Sequence, residues 1–268
     1  MLRLSLIALL SLASLPALAQ APRPSDVVEA TLRPGWRAAD GTHMAALHLR
    51  MAPGWMTYWR HPGESGIVPR LDWSGSDNLA ELRIHWPEPR LVVKSGFHSI
   101  GYLDEVILPL QLRPRQPGQP IILRANLSIG VCDDICIPVD LGFTGALPSA
   151  GQPDRLISRA LDSRARPAQS AGLRDIRCEL APDARGVQLH AHLDMPAQGA
   201  REFVLLEPVG TNVPSRVMGS ERAGSTLRGA VQFRAQGGQV PAIDRSQLAI
   251  RIVSENGMLA HQGCTLTQ

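Results

Sequence analysis

The residues best equipped for chemistry are two cysteines, Cys132 and Cys136, in the stretch GVCDDICIPVD, with Asp133 and Asp134 between them. Thiols at this spacing can close a disulfide, hold a metal or exchange with the thiols of another protein. A Cys132 to Cys136 bridge closes a loop of about five residues, for which chain entropy gives only ~2 kcal/mol. Stability alone is a weak reason for such a bridge. The other two cysteines, Cys178 and Cys264, lie at opposite ends of the second half of the chain, and joining them gives about 4 to 5 kcal/mol. That pair reads as a structural disulfide.

Three readings stay open for the short pair. One is a turn disulfide. A zinc site needs four ligands, and no second closely spaced cysteine or histidine pair lies nearby. Copper(I) needs fewer, and Met44, Met51 or Met56 could add a thioether, so copper(I) binding stands as the alternative cofactor reading. The third is a reversible dithiol on a connection between two strands, within reach of another protein. The aspartates bear on this last reading. Negative charge disfavours a thiolate, and no basic residue lies within several positions to offset it. Such a pair exchanges when a partner brings matched groups to it. The same two aspartates also suit an ordinary turn.

The elements that must carry these residues are short. The chain of 268 residues is rich in glycine and proline, and its apolar runs are bounded by turn residues. This predicts an all-β protein, with strands at 27–32, 44–51, 82–86, 106–112, 121–129 and 143–147. In THMAALHLR (42–50) apolar and polar residues alternate only roughly, which leaves its facing open. QPDRLISRALDSRAR (152–166) differs: Pro153 suits a first helical turn, and Leu156, Ile157, Ala160 and Leu161 recur at helical spacing. The strand rhythm returns from Gly172. The expected organisation is a signal peptide (1–19), a first β-sandwich (20–150), a short helical linker (151–167) and a second, smaller sandwich (168–268).

MLRLSLIALLSLASLPALAQA has an early arginine, an apolar run and Ala17-Leu18-Ala19 as a small-x-small site, so it reads as a secretory signal cut after Ala19. The expectation is a soluble periplasmic protein whose four cysteines meet an oxidising compartment. A formal charge of +3 gives no case for nucleic acid. No H-E-x-x-H, Ser-His-Asp order or glycine-rich phosphate loop stands out. Trp55, Tyr58, Trp59, Trp73 and Trp86 are expected in the sandwich core and its rim.

The run GWMTYWRHPGESGIVPRLDWSGSDNLAELRIHWPEPR (54–90), then IGYLDE (100–105) and VCDDICIPVD, resembles the amino-terminal periplasmic domain of the DsbD thiol:disulfide interchange proteins. Within that group it is most similar to the ScsB-like branch linked to copper tolerance. The resemblance spans about Val27 to Leu147, and the second half resembles a further β-domain of ScsB-like proteins. It implies immunoglobulin-like sandwiches, and a domain that takes electrons from a membrane-embedded DsbD-like donor and passes them to oxidised periplasmic clients. Carried over, Cys136 forms the mixed disulfide and Cys132 resolves it. A mobile aromatic cap over the cysteines is also implied, within KSGFHSIGY (94–102), with Phe97 or Tyr102 as the cap residue. Two departures stand out. The best-known family member separates its cysteines by more residues. This chain reaches Gln268 without the membrane and thioredoxin-like domains, so those are expected as separate polypeptides, or the fold is kept for binding alone.

Overall fold

The computed structural model describes residues 23–63, 66–94, 97–163, 165–209, 215–235 and 242–266, with only the backbone described at Lys94, Phe97, Ser215, Thr265 and Leu266. The leader expected at 1–19 lies outside the described residues. Alternating side chains and frequent turn residues produce strands throughout. The first half comprises a one-turn helix α1 (Pro24–Val27) followed by β1 (Val28–Arg37), β2 (His43–Met51), β3 (Met56–Gly63), β4 (Arg70–Asp72) and β5 (Leu79–Ile84). It continues with β6 (Arg90–Lys94), β7 (Phe97–Leu103), β8 (Glu105–Pro114), β9 (Ile121–Cys132) and β10 (Cys136–Leu147).

These strands form two facing sheets, ordered β1-β2-β8-β5 and β10-β9-β3-β7-β6, with β4 on β9. Strand β9 shows why they pack. Ile121, Leu123, Ala125, Leu127, Ile129 and Val131 are buried in the apolar cluster between the sheets, while Arg124 and Asn126 on the other face are exposed. Cys132 therefore falls, by parity, on the outer face.

Helix α2 (Arg155–Asp162) follows, capped by the Asp154 carboxylate, which accepts from the Leu156 and Ile157 amides. The second half comprises β11 (Arg166–Pro167), β12 (Asp175–Asp183), β13 (Gly186–Asp194), β14 (Glu202–Pro208), β15 (Ser215–Ala223), β16 (Thr226–Arg234), β17 (Leu248–Ser254), β18 (Gly257–Gln262) and β19 (Thr265–Leu266). Its sheets run β11-β18-β17-β14 and β15-β16-β13-β12-β19, and they enclose a separate core around Leu189, Phe233 and Ile250. The fold is all-β and immunoglobulin-like. Phe203, Leu205, Val253 and Met258 of the second half join the cluster that holds Trp59, Leu91 and Ile100 of the first, so the halves share an apolar seam.

Some strands depart from the sequence reading. Val27 ends α1, and β1 starts one residue later and runs on to Arg37. Strands β3, β4, β6 and β7 lie outside the sequence reading: Trp59, His61 and Pro62 break the apolar pattern of β3 and His98 that of β7, while β4 and β6 are only 3 and 5 residues long. Of the stretch expected as a cap loop, 94–102, Lys94 ends β6 and residues 97–102 belong to β7, the two strands pairing from Arg90↔Gly101 to Lys94↔Phe97. In β2 both parities are buried, including His43 and His48, whose Nε2 atoms bond the Pro34 carbonyl and the Glu105 carboxylate. This accounts for its weak alternation.

Candidate functional site: a solvent-facing cystine under a tyrosine hydroxyl

Strands β9 and β10 are a long hairpin, in register from Ile121↔Leu147 to Cys132↔Cys136. The two cysteines are thus its last cross-strand pair, 4.1 Å apart at Cα and joined as a disulfide. Asp133, Asp134 and Ile135 make the turn, with the Asp133 amide donating to the Ile135 carbonyl at 3.0 Å. The aspartates therefore do hold a turn position.

The two sulfurs have different surroundings. Cys132 is only 3% exposed, whereas Cys136 is open to solvent. Cys132 owes its burial not to the sandwich core but to a small cluster on the outer face of the sheet, made with Met56 and Tyr58 and flanked by Ile67 and Val92. Across the sheet, Cys136 pairs with Cys132, Cys132 with Met56, and Met56 with Leu103, so these four side chains form one row on that face. Each end of the row is marked by an exposed apolar side chain, Leu103 at 38% and Ile135 in the turn at 51%.

Tyr58, two residues after Met56, points to the same face. Its hydroxyl lies 3.1 Å from the Cys132 sulfur and 3.4 Å from the Cys136 sulfur. Glycines make room for its ring. A Cβ at Gly130 would lie 3.1 Å from the ring and 2.9 Å from Ile67, and a Cβ at Gly66, where φ is +140°, would sit 2.5 Å from it. Burial pushes the Tyr58 phenol above its ordinary value, the Ser99 side chain acting the other way. The hydroxyl therefore stays protonated at neutral pH and can donate to sulfur. Sequence reading placed Tyr58 in the core or rim and missed this contact. The available signals were the opposite parities of Tyr58 and Trp59 and the small residues Gly66 and Gly130.

Tyr102 does not cap the sulfurs. It pairs with Thr57, which pairs with Val131, so it lies on the inner face, 7% exposed, with its hydroxyl donating to the Pro87 carbonyl at 2.9 Å. The Phe97 side chain lies outside the described residues. Of the methionines considered alongside the sulfurs, Met56 touches Cys132, while Met44 and Met51 stand on β2 in the facing sheet. Among the described residues, no cluster of three or more His, Cys, Asp or Glu could hold a metal.

The other cystine is built differently. Cys178 on β12 is fully buried, and Cys264 directly precedes β19, which pairs with β12 in parallel. Their Cα atoms are 5.9 Å apart across a separation of 86 residues.

Fold and site together define a tandem β-sandwich protein with one buried cystine and one presented at a sheet surface, the second suited to thiol–disulfide exchange. Residues 27–146 match the family described as "Thiol:disulfide interchange protein DsbD, N-terminal", and this part of the chain is a DsbD N-terminal-like, thiol:disulfide interchange domain. Members of that family interact with thiol-redox partners. The N-terminal periplasmic domain of ScsB from Proteus mirabilis shares the fold: it is 21% identical with a TM-score of 0.60, over 92% of this chain and 97% of that one. The reduced N-terminal domain of Neisseria meningitidis DsbD is 18% identical with a TM-score of 0.29, over 50% of this chain and 95% of that one, too low a score to carry weight. A search of curated proteins finds no match.

Proposed function

We propose that the protein is a periplasmic thiol–disulfide exchange module that takes reducing equivalents from a membrane-embedded donor and delivers them to exported proteins through Cys132 and Cys136. The observation that carries this reading is the asymmetry of the pair: an exposed Cys136 sulfur beside a covered Cys132 sulfur, both within reach of one phenol hydroxyl.

In the oxidised state a donor thiolate attacks Cys136. The Cys132–Cys136 bond breaks, a mixed disulfide forms at Cys136, and Cys132 leaves as a thiolate. Tyr58 donates to that thiolate, which favours its departure. A second donor thiolate then attacks the mixed disulfide and releases Cys136, so the donor leaves oxidised and the pair holds two electrons and two protons more. The reverse sequence reduces a client: Cys136 attacks the client disulfide and Cys132 resolves the intermediate. Two dithiol–disulfide couples suffice, without a cofactor. The apolar side chains Leu103 and Ile135 give the incoming partner a docking edge on either side of the sulfurs.

The test is to trap the intermediate with oxidised glutathione after reduction. Cys132→Ser is expected to accumulate one glutathione on Cys136, located by peptide mass. Cys136→Ser is expected to react at Cys132 at least about a hundredfold more slowly, because that sulfur is covered. Equal labelling of the two variants, or none in either, contradicts the assignment.

A further inference from the structure

The seam between the sandwiches holds a charged cluster that the exchange reaction does not use. At the end of β3, Arg60 Nη2 lies 2.8 Å from Glu207 Oε2 on β14, and Arg251 Nε on β17 lies 3.4 Å from the same oxygen. His61 bonds the other oxygen of Glu207. The Arg60 guanidinium also sits 4.5 Å above the Trp59 ring. Glu207 is 13% exposed, Arg251 24% and Arg60 34%, so these charges are largely withdrawn from water. Burial and the Arg60 charge hold Arg251 below its ordinary pKa against the pull of Glu207, as expected where like charges crowd.

Beside this cluster a cavity of about 690 Å³ opens between β3, β5, α2 and the β17–β18 hairpin. Its charged wall is Arg60, Arg83, His85 and Arg251, with Trp59 and Trp86 among its apolar walls, and among the described residues no carboxylate lines it. The Arg83 side chain has no hydrogen-bond or ion-pair partner among the described residues. Glu88, the other seam carboxylate, is engaged by the Met258 amide and faces the neighbouring cavity. Among the described residues, the acid that touches the cluster is Glu207, shared by two arginines and a histidine. Trp59 Nε1 is buried without a hydrogen-bond partner among the described residues. A part-buried cleft lined by one sign of charge concentrates counter-ions, and guanidinium groups are the side chains best shaped to hold an oxyanion.

We infer that this interdomain cleft is a binding site for a small oxyanion, a phosphate or a polycarboxylate, held by Arg83 and Arg251 with Arg60 and His85 at its edge. Bound there, the anion ties β3 and β5 of the first sandwich to β17 of the second. The site is independent of the two cysteines.

The test follows tryptophan fluorescence of the mature protein during titration with inorganic phosphate and, separately, with citrate, against chloride at matched ionic strength. A saturable change with phosphate or citrate supports the site and assigns its ligand class. Arg83→Gln, an exposed residue whose loss leaves folding intact, is expected to weaken that binding about tenfold. Cys132→Ser/Cys136→Ser is expected to bind as the wild type does, so failure of the exchange reading leaves this test intact. A change no greater than that with chloride, or one that Arg83→Gln leaves untouched, overturns the inference.

Discussion

The protein carries two cystines that differ in almost every physical respect. Cys178–Cys264 closes a separation of 86 residues around a fully buried sulfur in the core of the second sandwich. Cys132–Cys136 closes a separation of 4 at the tip of a hairpin whose register already brings its ends together. The first constrains much of the unfolded chain. The second constrains little that β9–β10 pairing does not already fix, and it leaves one sulfur in the open. Loop length and exposure thus separate a bond that holds the fold from a bond available for reaction.

The largest expected effect probes that contrast through stability. Removing Cys178–Cys264 by Cys178→Ala/Cys264→Ala is expected to cost about 4 to 5 kcal/mol, against ~2 kcal/mol or less for Cys132→Ala/Cys136→Ala, measured by urea unfolding. Exchange with a small disulfide should survive in the first variant, provided it is assayed while folded, and vanish in the second. Equal stability losses would erase the distinction.

Tyr58→Phe sharpens the reactive side. A hydrogen bond to a charged group is worth ~1.5 to 3 kcal/mol, so dithiothreitol should reduce Cys132–Cys136 at least about tenfold more slowly. The melting temperature should move little, because the ring stays. An unchanged rate would leave Tyr58 as packing only. Gly130→Ala, whose new methyl presses on the Tyr58 ring and Ile67, should slow reduction by a smaller factor by displacing the hydroxyl.

The smallest effect is a control on pH. The disulfides do not titrate, so neither should set the acid sensitivity of stability. His43 is fully buried, and burial holds its pKa below the ordinary value of 6.5 against the bond to Pro34. The unfolded chain therefore binds the proton more readily. Stability is fully present above about pH 6.5 and declines as pH falls toward the depressed folded value. Both cystine-removal variants should show this slope, and His43→Gln should reduce it, with His261, also held below its ordinary value by burial, keeping part of it.

Much of this contrast was legible in the sequence. The cysteine spacings separated the two pairs, and short runs between turn residues announced an all-β chain. What could not be read was long-range. Tyr58 and Cys132 are 74 residues apart and meet only because β3 lies beside β9, with Gly130 leaving space for the ring. Tyr102 looked able to cover the sulfurs until strand register fixed its parity and turned it into the core. The charged seam depends on residues from β3, β14 and β17, which no local pattern connects.

The central claim is that one cystine is poised for exchange while the other is a staple. The most direct test is to equilibrate the protein in graded thiol–disulfide buffers, alkylate it, and read the redox state of each pair by peptide mass. The expected result is that Cys132–Cys136 reduces at a potential above about −300 mV, within the range of exchange proteins, while Cys178–Cys264 stays oxidised there. If Cys132–Cys136 also resists reduction below about −300 mV, both cystines are staples and the exchange function is contradicted.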